Sequence, residues 1–431
     1  MKRILATTGI AALGAAVMQP ALAQETKPWN VSTTVRSFYD DNYFTLPSRA
    51  AAGSPTKRSS WGLEFSPSAS YRISRDQTDL DLSSRYGMRY FEDRKTGSAD
   101  HSVDFGVNLN HRVSEKQRLT FSDSFAIAQE PGVLDSGAAA GALTTFGRTS
   151  GNNLRNNVEL KYAIDDIIER WSGEVSYANT FFDYQQDAEA SGAGARSALL
   201  DRVEHLFTLA GRYRIFDETA TELLFGYSYG LSDMTSKDAL DAAAGNRPAG
   251  NRPSTRDRST HYFFTGMGSR LTPDIRLNGR VGVQYVEYPN ARAAVPAFRS
   301  SNTSPYADIN AAWEYLPNSS AQLGLRHVRT TTDVSTSVDA EATSVYTSLN
   351  HEFNPDLRGS FLANYQLSQY RQTVGVPNVA DNIFGIGLNL EWRFTQFWTL
   401  EGGYNYDRQD ADLAGRSYYR NRLYLGFKAT W

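Results

Sequence analysis

From Trp29 to the C-terminus the chain alternates: every second residue is aromatic or aliphatic, and those between are Ser, Asn, Gly, Arg, Asp or Glu. A period of two marks a strand with one apolar face. Phe384, Ile386, Leu388, Leu390, Trp392 and Phe394 alternate with Gly385, Gly387, Asn389, Glu391 and Arg393. Val103, Phe105, Val107 and Leu109 do the same against Asp104, Gly106, Asn108 and Asn110, as do Ile275 to Tyr285. The runs are about 11 to 15 residues long, roughly twice an ordinary strand of about 5 to 6.

Eight tight connections separate alternating runs: Ser74-Arg75-Asp76, Ser114-Glu115-Lys116, Asp165-Asp166, Phe216-Asp217-Glu218, Thr272-Pro273-Asp274, Pro317-Asn318-Ser319, Asn354-Pro355-Asp356 and Thr395-Gln396. Each reads as a hairpin turn. Longer Gly-, Ala-, Ser-, Asp- and Pro-rich segments fall between the hairpins, at roughly 41–58, 92–100, 129–152, 184–200, 232–258, 287–303, 330–341, 371–381 and 408–416. Short and long connections therefore alternate. Eight hairpins and one strand at each end predict about eighteen strands, an even number as a single-chain barrel requires, with both termini on the short-turn side. The first strand is the least apolar, with Val31, Thr33 and Val35 as its outward residues, which leaves sixteen open. Pro67 sits inside the second run and predicts a bulge.

These faces fit one architecture. The apolar ones are too long and aromatic for a soluble sandwich, and their partners carry Arg, Glu and Asp that a dry core would not accept. A closed sheet with apolar side chains outward and polar ones inward satisfies both, because in lipid every backbone polar group must be paired within the sheet. The expected fold is all-β, a transmembrane antiparallel up-and-down β-barrel. Trp61, Tyr71, Tyr86, Tyr90, Trp171, Trp313, Tyr315, Trp398, Tyr404 and Tyr406, near strand ends, suit two interfacial girdles.

Composition agrees. The 431 residues include 24 Tyr, 22 Phe and 7 Trp, yet mean hydropathy is −0.48, as expected when half of each strand faces water. Beyond the N-terminus no apolar run approaches the roughly 18 residues of a membrane helix. A net charge of −3 without a dominant basic tract argues against nucleic acid. The absence of Cys excludes disulfides, Cys-bound zinc and thiol catalysis.

At the N-terminus, Lys2 and Arg3, the apolar stretch from Ile4 to Met18, Pro20 and Ala21-Leu22-Ala23 read as a secretory signal peptide, residues 1–23, cleaved before Gln24. Residues 24–431 then form one exported barrel without a second domain. The chain ends on Leu423, Leu425, Phe427, Ala429 and Trp431, alternating with Arg422, Tyr424, Gly426, Lys428 and Thr430. This resembles the C-terminal signal read by the outer-membrane barrel assembly machinery.

Catalytic patterns do not hold up. Gly226-Tyr227-Ser228-Tyr229-Gly230 matches the spacing of a hydrolase nucleophile, but inside a strand rather than at a strand-turn-helix elbow. His101, His111, His205, His261, His327 and His351 lack metal-ligand spacing and read as interfacial or lumen positions. Gly385-Ile386-Gly387 lacks the third glycine and the helix of a phosphate loop. The expectation is a non-enzyme with no metal and no cofactor.

The chemistry is assigned to the interior. Parity sends inward Arg72, Arg85, Arg89, Arg112, Arg118, Lys161, Arg212, Arg214, Arg276, Arg280, Arg326, Arg393, Arg420, Arg422 and Lys428. Against them stand Glu64, Asp79, Asp81, Asp104, Glu159, Glu174, Glu222, Asp308, Glu314, Glu391, Glu401 and Asp407. Such a lining sets solute preference in a water-filled pore, or its charges neutralise one another and fill the interior. Loop 129–152 (Glu130, Asp135, Gly137 to Gly141) and loop 232–258 (Asp233, Asp238, Asp241, then Arg247, Arg252, Arg256, Arg258) are candidates for narrowing the pore.

Tyr39-Asp40-Asp41-Asn42-Tyr43-Phe44, where the first strand ends, resembles the opening of the putative β-barrel porin 2 family of Gram-negative outer membranes. The resemblance implies barrel strands to the C-terminus and a porin-like role, and links some relatives with exopolysaccharide export. It carries no catalytic residue; Asp40, Asp41 and Asn42 come over as a structural mark only. Three readings follow: a passive or weakly selective diffusion pore for small hydrophilic solutes, a polysaccharide exporter or binder with aromatic stacking positions inside, and a closed structural or adhesive barrel. Most aromatics read as outward, which favours the first. Expected partners are outer-membrane lipid and lipopolysaccharide, the assembly machinery, solute or polysaccharide, and further copies of the chain, as in a trimer.

Overall fold

The computed structural model describes residues 27–47, 56–95, 97–130, 151–184, 196–240, 251–291, 300–334, 337–370 and 379–431. The proposed signal peptide and residues 131–150 of the third long loop lie outside them. Eighteen strands form one antiparallel sheet closed on itself. They are β1 (Trp29–Asp40), β2 (Ser60–Arg75), β3 (Thr78–Phe91), β4 (Ala99–Arg112), β5 (Gln117–Glu130), β6 (Gly151–Ile168), β7 (Trp171–Tyr184), β8 (Arg202–Phe216) and β9 (Thr221–Met234). The second half comprises β10 (Arg258–Arg270), β11 (Ile275–Glu287), β12 (Ser301–Leu316), β13 (Ser319–Thr330), β14 (Ala340–Asn354), β15 (Leu357–Tyr370), β16 (Val379–Arg393), β17 (Trp398–Ala411) and β18 (Tyr418–Thr430). A short helix, α1 (Arg196–Leu200), precedes β8. Each strand pairs with its chain neighbours and β1 pairs with β18, from Ser32 opposite Thr430 to Asp40 opposite Arg422.

The first strand is thus a full member of the wall, and the count is eighteen rather than sixteen. Pro67 does not bring a bulge. On its β1 side it stays in the ladder opposite Thr33; on the β3 side pairing lapses between Phe65–Met88 and Ser68–Arg85 and resumes in unchanged register. The missing N–H removes local bonds without adding a residue. Asp165-Asp166 is not a turn either: β6 runs on to Ile168 through a register shift, and the chain reverses at Glu169-Arg170, with Arg170 at a φ of 66°.

Closure is clasped where the chain's two ends meet. The Asp41 carboxylate accepts the backbone N–H and the side-chain amide of Asn421, both at 2.7 Å. Fully buried Asn42 donates to the carbonyls of Leu46 (2.8 Å) and Tyr419 (2.9 Å). On the inner side Arg36 on β1 donates to Glu401 on β17 at 2.5 Å, and Arg422 on β18 to Glu64 on β2 at 2.6 Å.

Residues opposite one another in a ladder share a face, so one outward residue fixes all others. Leu425 is 60% exposed and Trp61 58%, whereas Arg422 and Glu401 are buried. The aromatic-aliphatic face is outward. Two features of the faces differ from the sequence reading. Asp123 lies outward, opposite Val107 and Val158. Conversely Phe38, Phe91, Phe264, Tyr306 and Tyr346 point inward and are buried, as is Tyr424, which the alternation of the last strand already turns inward. Several pack over a glycine on the next strand. A Cβ at Gly226 would stand 2.3 Å from the Phe264 ring and one at Gly62 2.3 Å from Phe38.

All six His are on the outer face, and each Nδ1 meets a hydroxyl: His101 with Tyr86, His111 with Thr78, His205 with Tyr177, His261 with Tyr227 and His327 with Thr343 on the adjacent strand, and His351 with Tyr315 two strands away. Ser228, of the hydrolase-like pattern, is buried on the inner face against the Thr208 hydroxyl at 2.8 Å.

Gly226→Ala is expected to destabilise the barrel by about 1–3 kcal/mol, because Phe264 cannot retreat from a new methyl. Gly211→Ala, where a Cβ meets nothing within 4 Å, should be neutral or stabilising by up to about 1 kcal/mol. Urea unfolding of the two variants in lipid or detergent measures the contrast.

Candidate functional site

By register, the charged residues assigned to the lining lie on the inner face, in three environments. At the short-turn end Arg118 meets Asp165 at 3.0 Å, Arg214 meets Glu222 at 3.7 Å and Arg276 meets Glu314 at 3.1 Å. Arg212 stands 3.8 Å from both Asp165 and Glu174, Lys161 bridges Glu159 and Glu174, and Arg393 reaches Asp356 at 3.4 Å. Asp81 takes Arg72, Asp79 the Ser74 hydroxyl, and Arg112 donates to the Asp76 carbonyl. Arg72, Arg276, Glu314, Arg393 and Asp356 are exposed to water, where a pair contributes little, whereas Lys161 and Glu159 are buried.

Beside the seam the interior is packed. Arg420 holds Asp407 at 2.6 Å, and Arg420, Arg422, Glu401 and Glu64 are all buried. Their neutralisation is local, so these four do not face open water as an unobstructed lining would; close packing across β1, β2, β17 and β18 shuts it out. Arg85, half-exposed, lies 3.9 Å from Glu64. Arg89 is opposite Glu64 on the ladder, Arg280 opposite Asp308, and Glu391 accepts the Asn389 amide at 3.1 Å. Asp104 borders the open interior.

The third environment, at the long-loop end, was not legible in the strand pattern. Arg256, from the second candidate loop, is buried and ties three loops together. Its guanidinium donates to the carbonyls of Leu199 at 3.3 Å, Thr332 at 2.8 Å, Val334 at 2.6 Å and Ser337. Burial pulls its pKa down to about 10, so it stays charged at neutral pH. Arg416 joins Asp333 (2.9 and 3.0 Å) to Asp381 (3.0 Å), linking the last long loop to the loop after β13.

The β13–β14 hairpin leans inward. The β12–β13 ladder stops at Ala307–His327, and the Arg329 backbone N–H donates to the side-chain Oε1 of Gln284 at 2.9 Å, past β12. Arg329, buried, holds Asp339 at 3.0 Å and Glu341 at 2.8 Å. Under this roof lies a cavity of about 420 Å³ bordered by inner residues of β4 to β10, β12 and β13. The only advance sign of the roof was the arginine-rich second half of loop 232–258.

A closed eighteen-stranded wall with an apolar exterior, a charged interior and a roof of interlocked loops defines an outer-membrane β-barrel channel protein. The family model described as Putative beta-barrel porin 2 matches residues 32–430, and the chain belongs to that family. Among solved structures it is similar to the outer membrane protein opdK of Pseudomonas aeruginosa (12% identity, TM-score 0.46, covering 94% of this chain and 99% of that one). It is also similar to a BenF-like porin of Pseudomonas fluorescens Pf-5 (13%, 0.43, 94% and 99%) and to OccAB3 of Acinetobacter baumannii (10%, 0.43, 94% and 99%). No curated protein matches the sequence.

Arg256→Ala is expected to untie the roof, seen as faster cleavage of residues 251–257 and 331–334 by protease added to intact cells, with the wall untouched. The roof should also respond to pH through Asp201, next to β8, whose carboxylate accepts the Tyr184 N–H at 2.7 Å. Burial is the main cause that raises its pKa to about 7, with Asp183 and Asp238 adding to it. The folded form therefore holds a proton that the opened loop releases near pH 4, and the stabilisation is lost as pH rises from about 4 to about 7. Hydrogen-exchange protection of the Tyr184 amide, corrected for intrinsic rates, should fall several-fold between pH 5 and 7.5 in the native protein and stay level in Asp201→Asn.

Proposed function

We propose that the barrel is an outer-membrane channel for passive, weakly selective diffusion of small hydrophilic solutes. The observation that carries this reading is the division of the wall into a largely apolar exterior and a charged interior that encloses a cavity. Lipid contacts the first and solute the second. Arg85, Arg89, Arg280 and Asp104, with the rim pairs at the short-turn end, set the preference among solutes, while Arg420, Arg422 and Glu401 serve the seam. Nothing in this function calls for catalysis by the chain.

Export fits the same reading: residues 1–23 direct secretion and are cleaved before Gln24. Leu423, Leu425, Phe427 and Trp431, all exposed on the outward face, are then offered to the assembly machinery. The girdles meet lipopolysaccharide in the outer leaflet, and the apolar wall is compatible with a trimer. Polysaccharide passage is less well supported. Aromatic side chains do point inward, but Phe38, Phe264, Tyr346 and Tyr424 are buried against glycines or neighbours and offer no open ring face for a sugar to stack on.

Refolded mature protein in a planar bilayer is expected to give steady conductance steps, and Arg256→Ala larger ones. A folded barrel that stays silent in both forms would sink the diffusion reading in favour of a closed structural barrel.

A further inference from the structure

We propose that the cavity beneath the β13–β14 roof is a binding site for a small organic carboxylate, a deepening that rests on the channel reading. Tyr306 is 3% exposed and borders the cavity, and its hydroxyl has no hydrogen-bond partner among the described residues. The buried Nε of Arg326, on the adjacent strand, has none either. The Tyr262 hydroxyl accepts from Gln284 Nε2 at 3.2 Å, which leaves its own proton to give, and its ring packs edge-on against that of Tyr306 at 5.5 Å. A buried donor left unpaired costs about 1–3 kcal/mol. Three at one wall point to an acceptor-only ligand.

Charge points the same way. Five arginines (155, 202, 258, 326 and 329) border the cavity against two acids, Asp104 and Glu204. Arg329 is neutralised outside it by Asp339 and Glu341. Glu204 is shared by Arg202 at 2.8 Å and Arg258 at 3.2 Å, so one positive charge is in surplus there. Arg326 faces Asp308, which Arg280 also faces from the other side. A cation would be repelled, and a neutral polyol would bring hydroxyl protons to a wall already rich in donors. A carboxylate brings two oxygens and no proton, and its bonds to a guanidinium and to tyrosine hydroxyls are charge-assisted.

Gluconate and sorbitol, alike except for the terminal carboxylate, separate these cases. Titration calorimetry of the full folded barrel in detergent is expected to show saturable binding of gluconate and none of sorbitol. Tyr306→Phe, which removes one oxygen from a packed ring, and Arg326→Gln should each weaken gluconate binding roughly ten- to hundredfold, with Arg326→Lys recovering part of the loss. Equal binding of both ligands, no binding of gluconate, or variants that bind like the native protein would overturn the site. The measurement needs no current through the pore. A silent barrel that binds gluconate removes the channel and keeps the site; a conducting barrel that does not bind removes the site alone.

Discussion

Everything in this protein depends on the pairing of β1 with β18. In hydrocarbon an unpaired row of N–H and C=O groups is prohibitive, and a sheet of any width has two such rows until its edges meet. Nine ladder pairs from Ser32–Thr430 to Asp40–Arg422 remove them. The polar groups placed there serve that join. Asp41 and Asn42 grip Asn421 and Tyr419 where the wall enters the loops, while Arg36, Glu64, Glu401 and Arg422 cross-link β1, β2, β17 and β18 from within. The Asp-Asp-Asn stretch that marks the family resemblance is therefore the clasp of the barrel.

Once the wall is closed, its curvature decides what fits inside. Large rings at Phe38, Phe264, Tyr346 and Tyr424 are accommodated because the facing positions, Gly62, Gly226, Gly324 and Gly403, have no side chain. The interior is thereby divided. It is packed and neutralised beside the seam, hydrated at the short-turn end, and roofed at the other by loops that exchange hydrogen bonds with one another more than with the wall. The donor-rich cavity lies where the roof meets the wall.

The barrel, its strand number and the direction of nearly every wall residue were legible because a period of two is rigid: one exposed Leu425 or Trp61 fixes a whole ladder. Where alternation persisted through a polar pair, as at Asp165-Asp166, the turn was placed four residues early. Asp123 was passed over because a lone polar residue on an apolar face does not disturb the pattern around it. The inward rings of Phe264 and Tyr306 were missed for a different reason. Alternation tells which face a residue is on, and an aromatic opposite a glycine is acceptable on either. The roof had no periodicity to read at all. Arg256 makes its bonds to carbonyl groups of Leu199, Thr332, Val334 and Ser337, and a backbone carbonyl leaves no trace in a sequence.

That single guanidinium also links loops that are far apart in the sequence. Four acceptors drawn from two other loops converge on one planar cation. Loops joined in this way are coupled, because a shift of any one of the three changes the geometry offered to the other two. A displacement of one loop is therefore resisted by the contacts of all three.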